Sequence, residues 1–381
     1  MKDKVLLTTV FTGYNYGSSL QALAGKFVLQ ELGYDCQLVG MKSLVKGRDI
    51  RLKKLITILF RSAALRGSRG AKALSTYQKT YKKSLIGDSV ARFTQFTDQY
   101  LRPAYFSWGG LKNAAKDSVA CFAGSDQIWN SSTMYVDPMY YLRFAPSYKR
   151  VALAPSFGRD FVAEYNREKM SRWIGEFACL SVREDSGVRL IKDMTGRDAV
   201  NLLDPTLMVD GNTWKKDLCI KARNDNYILA YFLDKPSDSA RKALTELKNA
   251  SGYEVIAIPY QFDDMDYCDK AVPTGPIEFL DLISNAKCVL TDSFHGTAFS
   301  INLHTPFYVF ARDYGSAHSQ NSRIESILKK MNMQDRFEPV DVAMMYDKVN
   351  FEYSEEVLEA ERIKARAYLK SALNEIKRNE K

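Results

Sequence analysis

The stretch TDSFHGTAFS, residues 291–300, sets His295 where an apolar run, CVLTD, gives way to small and hydroxylated residues, in a chain with only 3 histidines. An imidazole is the side chain whose ordinary titration lies nearest neutrality, which suits it to proton transfer. A group at the start of a helix also meets the positive end of the helix dipole. Gly296 admits close approach of a backbone or a ligand, and Ser293 and Thr297 add hydroxyls. Together these residues suit an anion with a proton donor beside it. The same residues also suit a helix cap with a partly buried histidine, and local pattern leaves both readings open.

Other segments offer polar groups in the same position, just after a strand. GSDQIWN carries Ser125, Asp126 and Gln127; PSFGRD carries Ser156 and Arg159; SVRE carries Arg183 and Glu184; TGYNYGS carries Tyr14 and Asn15. Each alone reads as a helix cap; taken together they can converge on one pocket. Arg323 opens the helical pattern NSRIESIL and can aim a guanidinium at that pocket, whereas Arg312, Lys329 and Lys330 are expected to be surface charges. No GxGxxG follows the first strand and no GxxxxGK[ST] occurs, so the dinucleotide fingerprint and the Walker loop are both absent. Asp264-Met265-Asp266 spells a DxD inside the acidic stretch QFDDMDYCD, which reads as a solvated loop. No metal is expected.

The elements that must position these residues follow one repeated design, a short run of strand formers, then small polar residues, then a helical period. KVLLTTVF leads through TGYNYGS into a helix stopped by Gly33, with DCQLVGM as the next strand; 119–123, 150–154 and 178–182 repeat the scheme, and VNLLDPTLMV reads as one more strand. The second half alternates again through YILAYFL, EVIAIPY, CVLTD and PFYVFA. Such alternation implies parallel sheets covered on both faces, and 381 residues suit two domains. The fold class is therefore α/β, with two Rossmann-like domains over 1–208 and 209–350 and a C-terminal helix over 351–381 packing back on the first. Ligands of such sheets bind beyond the carboxyl ends of the strands, which places an active-site cleft between the two domains.

Hydrophobic residues at 46% and charged residues at 26% describe an ordinary globular chain. The N-terminus lacks a secretory leader pattern, no run of 18 apolar residues occurs, and six scattered cysteines form no CxxC, which together imply reduced thiols in a cytosol. The net charge of +9 is uneven. Residues 42–83 hold 13 Lys and Arg against Asp49 alone, a net +12 that leaves −3 for the remainder of the +9. Within this basic excursion RLKKLITILFRSAALRGSRG interleaves Leu52, Leu55, Ile56, Leu59 and Phe60 with Lys53, Lys54 and Arg61; Leu55, Ile56 and Leu59 share a helical face and Ile58 breaks the stripe. Residues 48–70 either lie on an anionic membrane surface, peripheral to the cytoplasmic face, or pack their apolar side onto the first domain and turn their charges to water. Without a zinc pattern or a recognition motif, nucleic acid is not an expected partner.

Taken in order, GYNYGS, GSDQIWN, the SFG of APSFGRD, SVREDSG, DPTL and TDSFHGT resemble the polysaccharide pyruvyl transferase family, over residues 11–300. The resemblance implies a glycosyltransferase-B-like pair of domains, the first on the acceptor side and the second on the donor side. It also implies transfer of the pyruvyl group of phosphoenolpyruvate, as donor substrate and without a cofactor, to a sugar of a bacterial capsule or cell-wall glycan. The acceptor would be a glycan or a polyprenyl-diphosphate-linked oligosaccharide and the product a cyclic ketal. The family's donor-associated arginine and histidine match Arg183 and His295, and Asp126 or Glu184 would take the sugar's proton. Some members carry an arginine two residues before the histidine, where this chain has Ser293, so phosphate binding would lean on Arg183, on helix N–H groups or on another cation such as Arg323. A nucleotide-sugar glycosyltransferase on the same architecture and a non-enzymatic glycan-binding module are the competing readings.

Overall fold

The computed structural model describes residues 2–43, 51–64, 88–259, 265–312, 322–342 and 349–379. They fall into two compact units: the N-terminal stretch joins 97–208 and 361 onward, while 88–96 joins 209–360.

The first unit is built on a five-stranded parallel sheet ordered β3-β2-β1-β4-β5, from β1 (Lys4–Thr8), β2 (Asp35–Met41), β3 (Ala104–Phe106), β4 (Ala120–Ala123) and β5 (Arg150–Ala152). The apolar runs of β1 and β4 are buried almost end to end, as strands covered on both faces must be. Helix α1 (Tyr16–Glu31) starts where the Asn15 side chain accepts a hydrogen bond from the Ser18 amide and ends before Gly33, whose φ of +93° no β-carbon opposes. Beyond β5, a bridge from Val151 to Cys179 leads to a small sheet of β6 (Ser181–Val182) and β7 (Val200–Asn201). Trp129, fully buried with its ring 5.4 Å from Phe177 and 5.8 Å from Phe157, anchors the loop after β4 in the core. Such ring pairs contribute about 0.5–1.5 kcal/mol each.

The second unit repeats the plan with β8 (Tyr227–Tyr231), β9 (Glu254–Ala257), β10 (Lys270–Ala271), β11 (Cys288–Thr291) and β12 (Phe307–Val309), all parallel and ordered β10-β9-β8-β11-β12. A helix at Phe294–Leu303 follows β11, and all ten of its residues are buried. That fits a sequence, FHGTAFSINL, with no charged face to turn to water. Phe299 packs against Trp214 at 5.5 Å and Phe279 at 6.2 Å, which sets the helix's rotation.

The chain is thus α/β with two Rossmann-like units, each built on a five-stranded parallel sheet. Two readings need correction. VNLLDPTLMV is no single strand: β7 ends at Asn201 and Pro205–Met208 is helical, because the Asp204 carboxylate caps the turn by accepting from the Thr206 amide at 3.0 Å. In the basic segment, residues 44–50 and 65–83 lie outside the described residues. The described part forms a helix, Leu52–Ala64, whose apolar residues divide between its two sides, with Leu55 half-buried. Ile58, the residue expected to break the stripe, is buried, while Leu52, Ile56, Leu59 and Phe60 are exposed. The long C-terminal helix, Glu352–Asn379, carries Arg366 to Glu31 at 2.9 Å and Tyr368 to the Ala152 carbonyl at 2.8 Å. Among the described residues no helix is long and apolar enough to cross a membrane.

Candidate functional site

In the first unit the loops that follow β4, β5, β6 and β7 are joined by buried polar contacts. Asp126 stands at φ +59° and ψ −173°, a backbone region open essentially to glycine alone and costing another residue about 1–3 kcal/mol. It is held there by its neighbours. Its carboxylate accepts from the Ser18 hydroxyl at 2.5 Å and the Gln127 amide at 2.8 Å, and its carbonyl accepts from the Ile128 and Ser156 amides, each at 2.8 Å. The Ser156 hydroxyl donates to Glu184 and accepts from the Gly158 amide at 3.0 Å. Gly158 has φ +67°, and a β-carbon on it would lie 2.8 Å from the Gln127 side chain, so a side chain there would strain the backbone and displace Gln127.

Arg183 is buried, and its Nη1 donates to Asp204 at 2.6 Å. Burial opposes its charge, but Asp204, Glu184 and Asp126 outweigh that and raise its pKa. The Ser125 hydroxyl donates to the same Asp204 oxygen at 3.0 Å. Glu184, just before the helix Asp185–Thr195, lies 3.9 Å from Arg183; its Oε2 is buried and meets no hydrogen-bond partner among the described residues. The structure thus gathers Ser125, Asp126, Gln127, Ser156, Arg183 and Glu184 at the strand ends, with two residues the motif reading did not assign. Asp204 sits in DPTL and Ser18 directly follows GYNYG; an acid or hydroxyl just past a strand was the available signal. Asn15 serves as the cap of α1, Tyr14 takes up the turn at φ +58°, and Arg159 stacks over Phe161 at 5.6 Å.

In the second unit Ser293 is the cap of the helix Phe294–Leu303, accepting from the Gly296 amide at 3.3 Å, and the Thr297 hydroxyl donates to the Ser293 carbonyl at 3.0 Å. Gly296 is required by the strand: a β-carbon there would sit 2.6 Å from Thr291 Oγ1. The close approach it permits is that of the helix to β11. His295 lies in the first helical turn and is buried, its ring edge-on to Phe294 at 5.2 Å. Arg323, also buried, puts its guanidinium 5.8 Å from the centre of the same Phe294 ring. One phenyl ring therefore joins an imidazole and a guanidinium at the start of a helix, where the amide dipole also favours an anion.

Two residues beside this group escaped the sequence reading. Asp292, buried at the end of β11, accepts from the Leu233 amide at 2.7 Å and the Asp234 amide at 3.1 Å. Arg312, expected at the surface, is largely buried, donates from Nε to the Asp292 carbonyl at 3.0 Å, and stands 3.4 Å from the carboxylate. Burial pushes the Asp292 carboxyl up to about 6, against the pull of Arg312 and the two amides. Lys329 is exposed, as expected of a surface charge. Asp264 of the DxD lies outside the described residues, and Asp266 pairs with Arg241 at 2.6 Å. Among the described residues no group of three or more His, Cys, Asp or Glu is placed to hold a metal ion.

The family model for polysaccharide pyruvyl transferase matches residues 15–314. General stress protein 30 of Bacillus subtilis is 23% identical over 248 residues, which span 61% of this chain and 69% of that protein. Among solved structures, the UDP-GlcNAc 2-epimerase of Neisseria meningitidis bound to UDP-GlcNAc is 11% identical with a TM-score of 0.46, covering 97% of this chain and 100% of that one. The UDP-GlcNAc 2-epimerase of Methanocaldococcus jannaschii is 12% identical with a TM-score of 0.45, covering 94% of this chain and 92% of that one.

Proposed function

The chain belongs to the polysaccharide pyruvyl transferase family, and we propose that it moves the pyruvyl group of phosphoenolpyruvate onto two hydroxyls of a glycan or its lipid-linked precursor, forming a cyclic ketal and releasing phosphate. The observation that carries this reading is the grouping of His295, Phe294 and Arg323 at the N-terminus of one buried helix. Phosphoenolpyruvate brings a carboxylate and a phosphate. A guanidinium fork and a helix N-terminus bind such groups through charge-assisted hydrogen bonds.

In the reaction a proton adds to C3 of the enol, which becomes the methyl group, and a sugar hydroxyl attacks C2 through an oxocarbenium-like state. The C2–O bond to phosphate breaks, and a second hydroxyl closes the ketal. Two hydroxyl protons are released; one replaces the proton delivered to C3 and the other leaves with phosphate or solvent. His295 donates to C3 or to the leaving phosphate, and Arg323 holds the anion. Of the two acids considered as proton acceptors, Glu184 is the less engaged within its own unit, since the carboxylate oxygens of Asp126 already accept from Ser18 and Gln127. Arg183, paired with Asp204, orders the loops of its own unit.

The test is incubation with phosphoenolpyruvate and a panel of soluble and lipid-linked glycans, scoring product mass and inorganic phosphate together. The expected result is a gain of one pyruvate less one water per phosphate released. Thermal protection by UDP or GDP, with none by phosphoenolpyruvate, would instead identify a nucleotide-sugar glycosyltransferase.

A further inference from the structure

In the second unit β8, β9 and β10 run out to one side and β11 and β12 to the other, so the strand order reverses between β8 and β11. Ligands of open parallel sheets bind beyond the carboxyl ends of the strands at such a reversal. The helix Phe294–Leu303, with His295 in its first turn, starts there. The Thr291 hydroxyl crosses the reversal by donating to the Tyr231 carbonyl at 2.6 Å, and it accepts from the Ser293 amide at 3.0 Å. One step further out Asp292 reaches the loop after β8, Oδ1 accepting from the Leu233 amide at 2.7 Å and Oδ2 from the Asp234 amide at 3.1 Å. Arg312, beyond β12, donates to the Asp292 carbonyl at 3.0 Å and lies 3.4 Å from Oδ2. One buried acid thus ties three strand ends at the base of the helix. The far end of the same loop is held separately, by Ser239 donating to Glu338 at 2.9 Å while Glu338 accepts from the Ala311 amide at 2.7 Å.

The first unit has the same reversal, between β1 and β4, and joins it differently. Thr9, directly after β1, donates its hydroxyl to the Ser125 carbonyl at 3.1 Å, and Asp126 takes the Ser18 hydroxyl inside α1 rather than a backbone amide of the loop. A neutral bond therefore suffices to join two strand ends. A carboxylate clasp depends on charge as well. With one amide on each oxygen, a proton on either oxygen sets a donor against a donor and breaks one of the two bonds. Bonds to an ionised acceptor are also about twice as strong as neutral ones. The groups facing the carboxylate are Arg312, the exposed Asp234 and Tyr267, whose hydroxyl burial pushes up and so keeps neutral. Burial likewise pushes Asp292 up to about 6, which sets the loss of its charge just below neutrality.

We propose that Asp292 is a positioning residue: as a carboxylate it clasps the loop after β8 to the base of the His295 helix, and so fixes the strand-end loop that borders the donor's anion site. The inference rests on the reading of that helix start as the place where phosphoenolpyruvate binds. Asp292 touches no reacting atom in it. It acts through the Leu233 and Asp234 backbone and through Arg312, and once discharged it leaves the near end of the loop free to move.

The test uses the full chain and two readouts. Hydrogen exchange of the backbone amides at 232–235, followed by mass spectrometry and corrected for intrinsic rates, reports the clasp without any ligand. Protection in the wild type at pH 7.5 is expected to fall at least about tenfold at pH 5, the order set by one bond to a charged group. Asp292→Asn, which sets an amide group where the carboxylate was, should show the lower protection at both. Calorimetric binding of phosphoenolpyruvate reports the consequence. The ratio of dissociation constants, Asp292→Asn over wild type, should be at least about tenfold at pH 7.5, since a small misplacement of a binding group costs that much or more. At pH 5 it should approach one. Ionisation of the donor is common to both proteins and cancels in the ratio. Equal wild-type protection at the two pH values overturns the clasp, and that arm needs no variant to fold. A ratio that stays constant with pH overturns the positioning role, because a merely structural loss does not follow the charge. If the wild type binds no phosphoenolpyruvate at either pH, the donor reading fails and takes the positioning role with it, while the exchange result still decides the clasp.

Discussion

In the first unit Asp204 lies 2.6 Å from Arg183 and also accepts from Ser125 and Thr206; in the second, Asp292 stands 3.4 Å from Arg312 and is held mainly by two backbone amides. Both acids sit just beyond a strand, in units whose sheets share one strand order. The close, multiply bonded pair is a structural fastening, and removing either partner strands a buried charge. The looser pair leaves an acid that burial pushes up to about 6, three residues from His295. The same scaffold thus carries a rigid loop cluster in one unit and a titratable one in the other, so shared fold does not mean shared chemistry.

The contrast can be broken at several points. His295→Ala should lower kcat for pyruvyl transfer by about 10²–10⁴-fold, the usual contribution of a positioned acid or base; a loss below tenfold in steady-state rates would remove His295 from the proton-transfer step. Arg183→Met should cost about 3–5 kcal/mol in urea unfolding, because Asp204 stays buried without its partner. A loss under about 1 kcal/mol would mean that the two pairs are not different in kind.

The second pair is sharpened by pH. With its folded pKa raised from 3.8 to about 6, Asp292 binds its proton more tightly folded than unfolded. Between these values the folded state holds more protons, so this group stabilises the protein as pH falls from 7 toward 4 and that contribution is lost as pH rises through 6. The span is up to about 3 kcal/mol. Asp292→Asn should therefore flatten the dependence, and equal wild-type and variant slopes in unfolding free energy between pH 4.5 and 7 would refute the assignment. The smallest effects belong to the caps: Asn15→Ala in the first unit and Ser293→Ala in the second should each cost about 0.5–2 kcal/mol by thermal unfolding.

Much of the fold is legible in the sequence, since KVLLT, DCQLVGM, YILAY and CVLT each become a parallel strand. The shortest pieces escape. Lys270–Ala271 has two residues and no apolar pattern, and it is a strand only because β9 is there to pair with it. At the site, the loops bearing His295, Asp126, Arg183 and Glu184 could be named from residue types alone, but what those types do there could not. Gly296 serves packing against Thr291, and Arg312 is a partner of Asp292 where a surface charge was expected.

By itself the sequence determined the strand and helix alternation, the two-unit plan and the positions of the loop motifs, because periodicity and capping act between residues a few places apart. The tertiary structure alone decided that Arg183 meets Asp204, 21 residues away, and that Arg61 meets Asn166, 105 residues away, leaving an apolar stripe outside. Those outcomes depend on which distant groups the packed chain brings within a few ångströms, and the free energy of a buried charge or an exposed phenyl ring is set by that company.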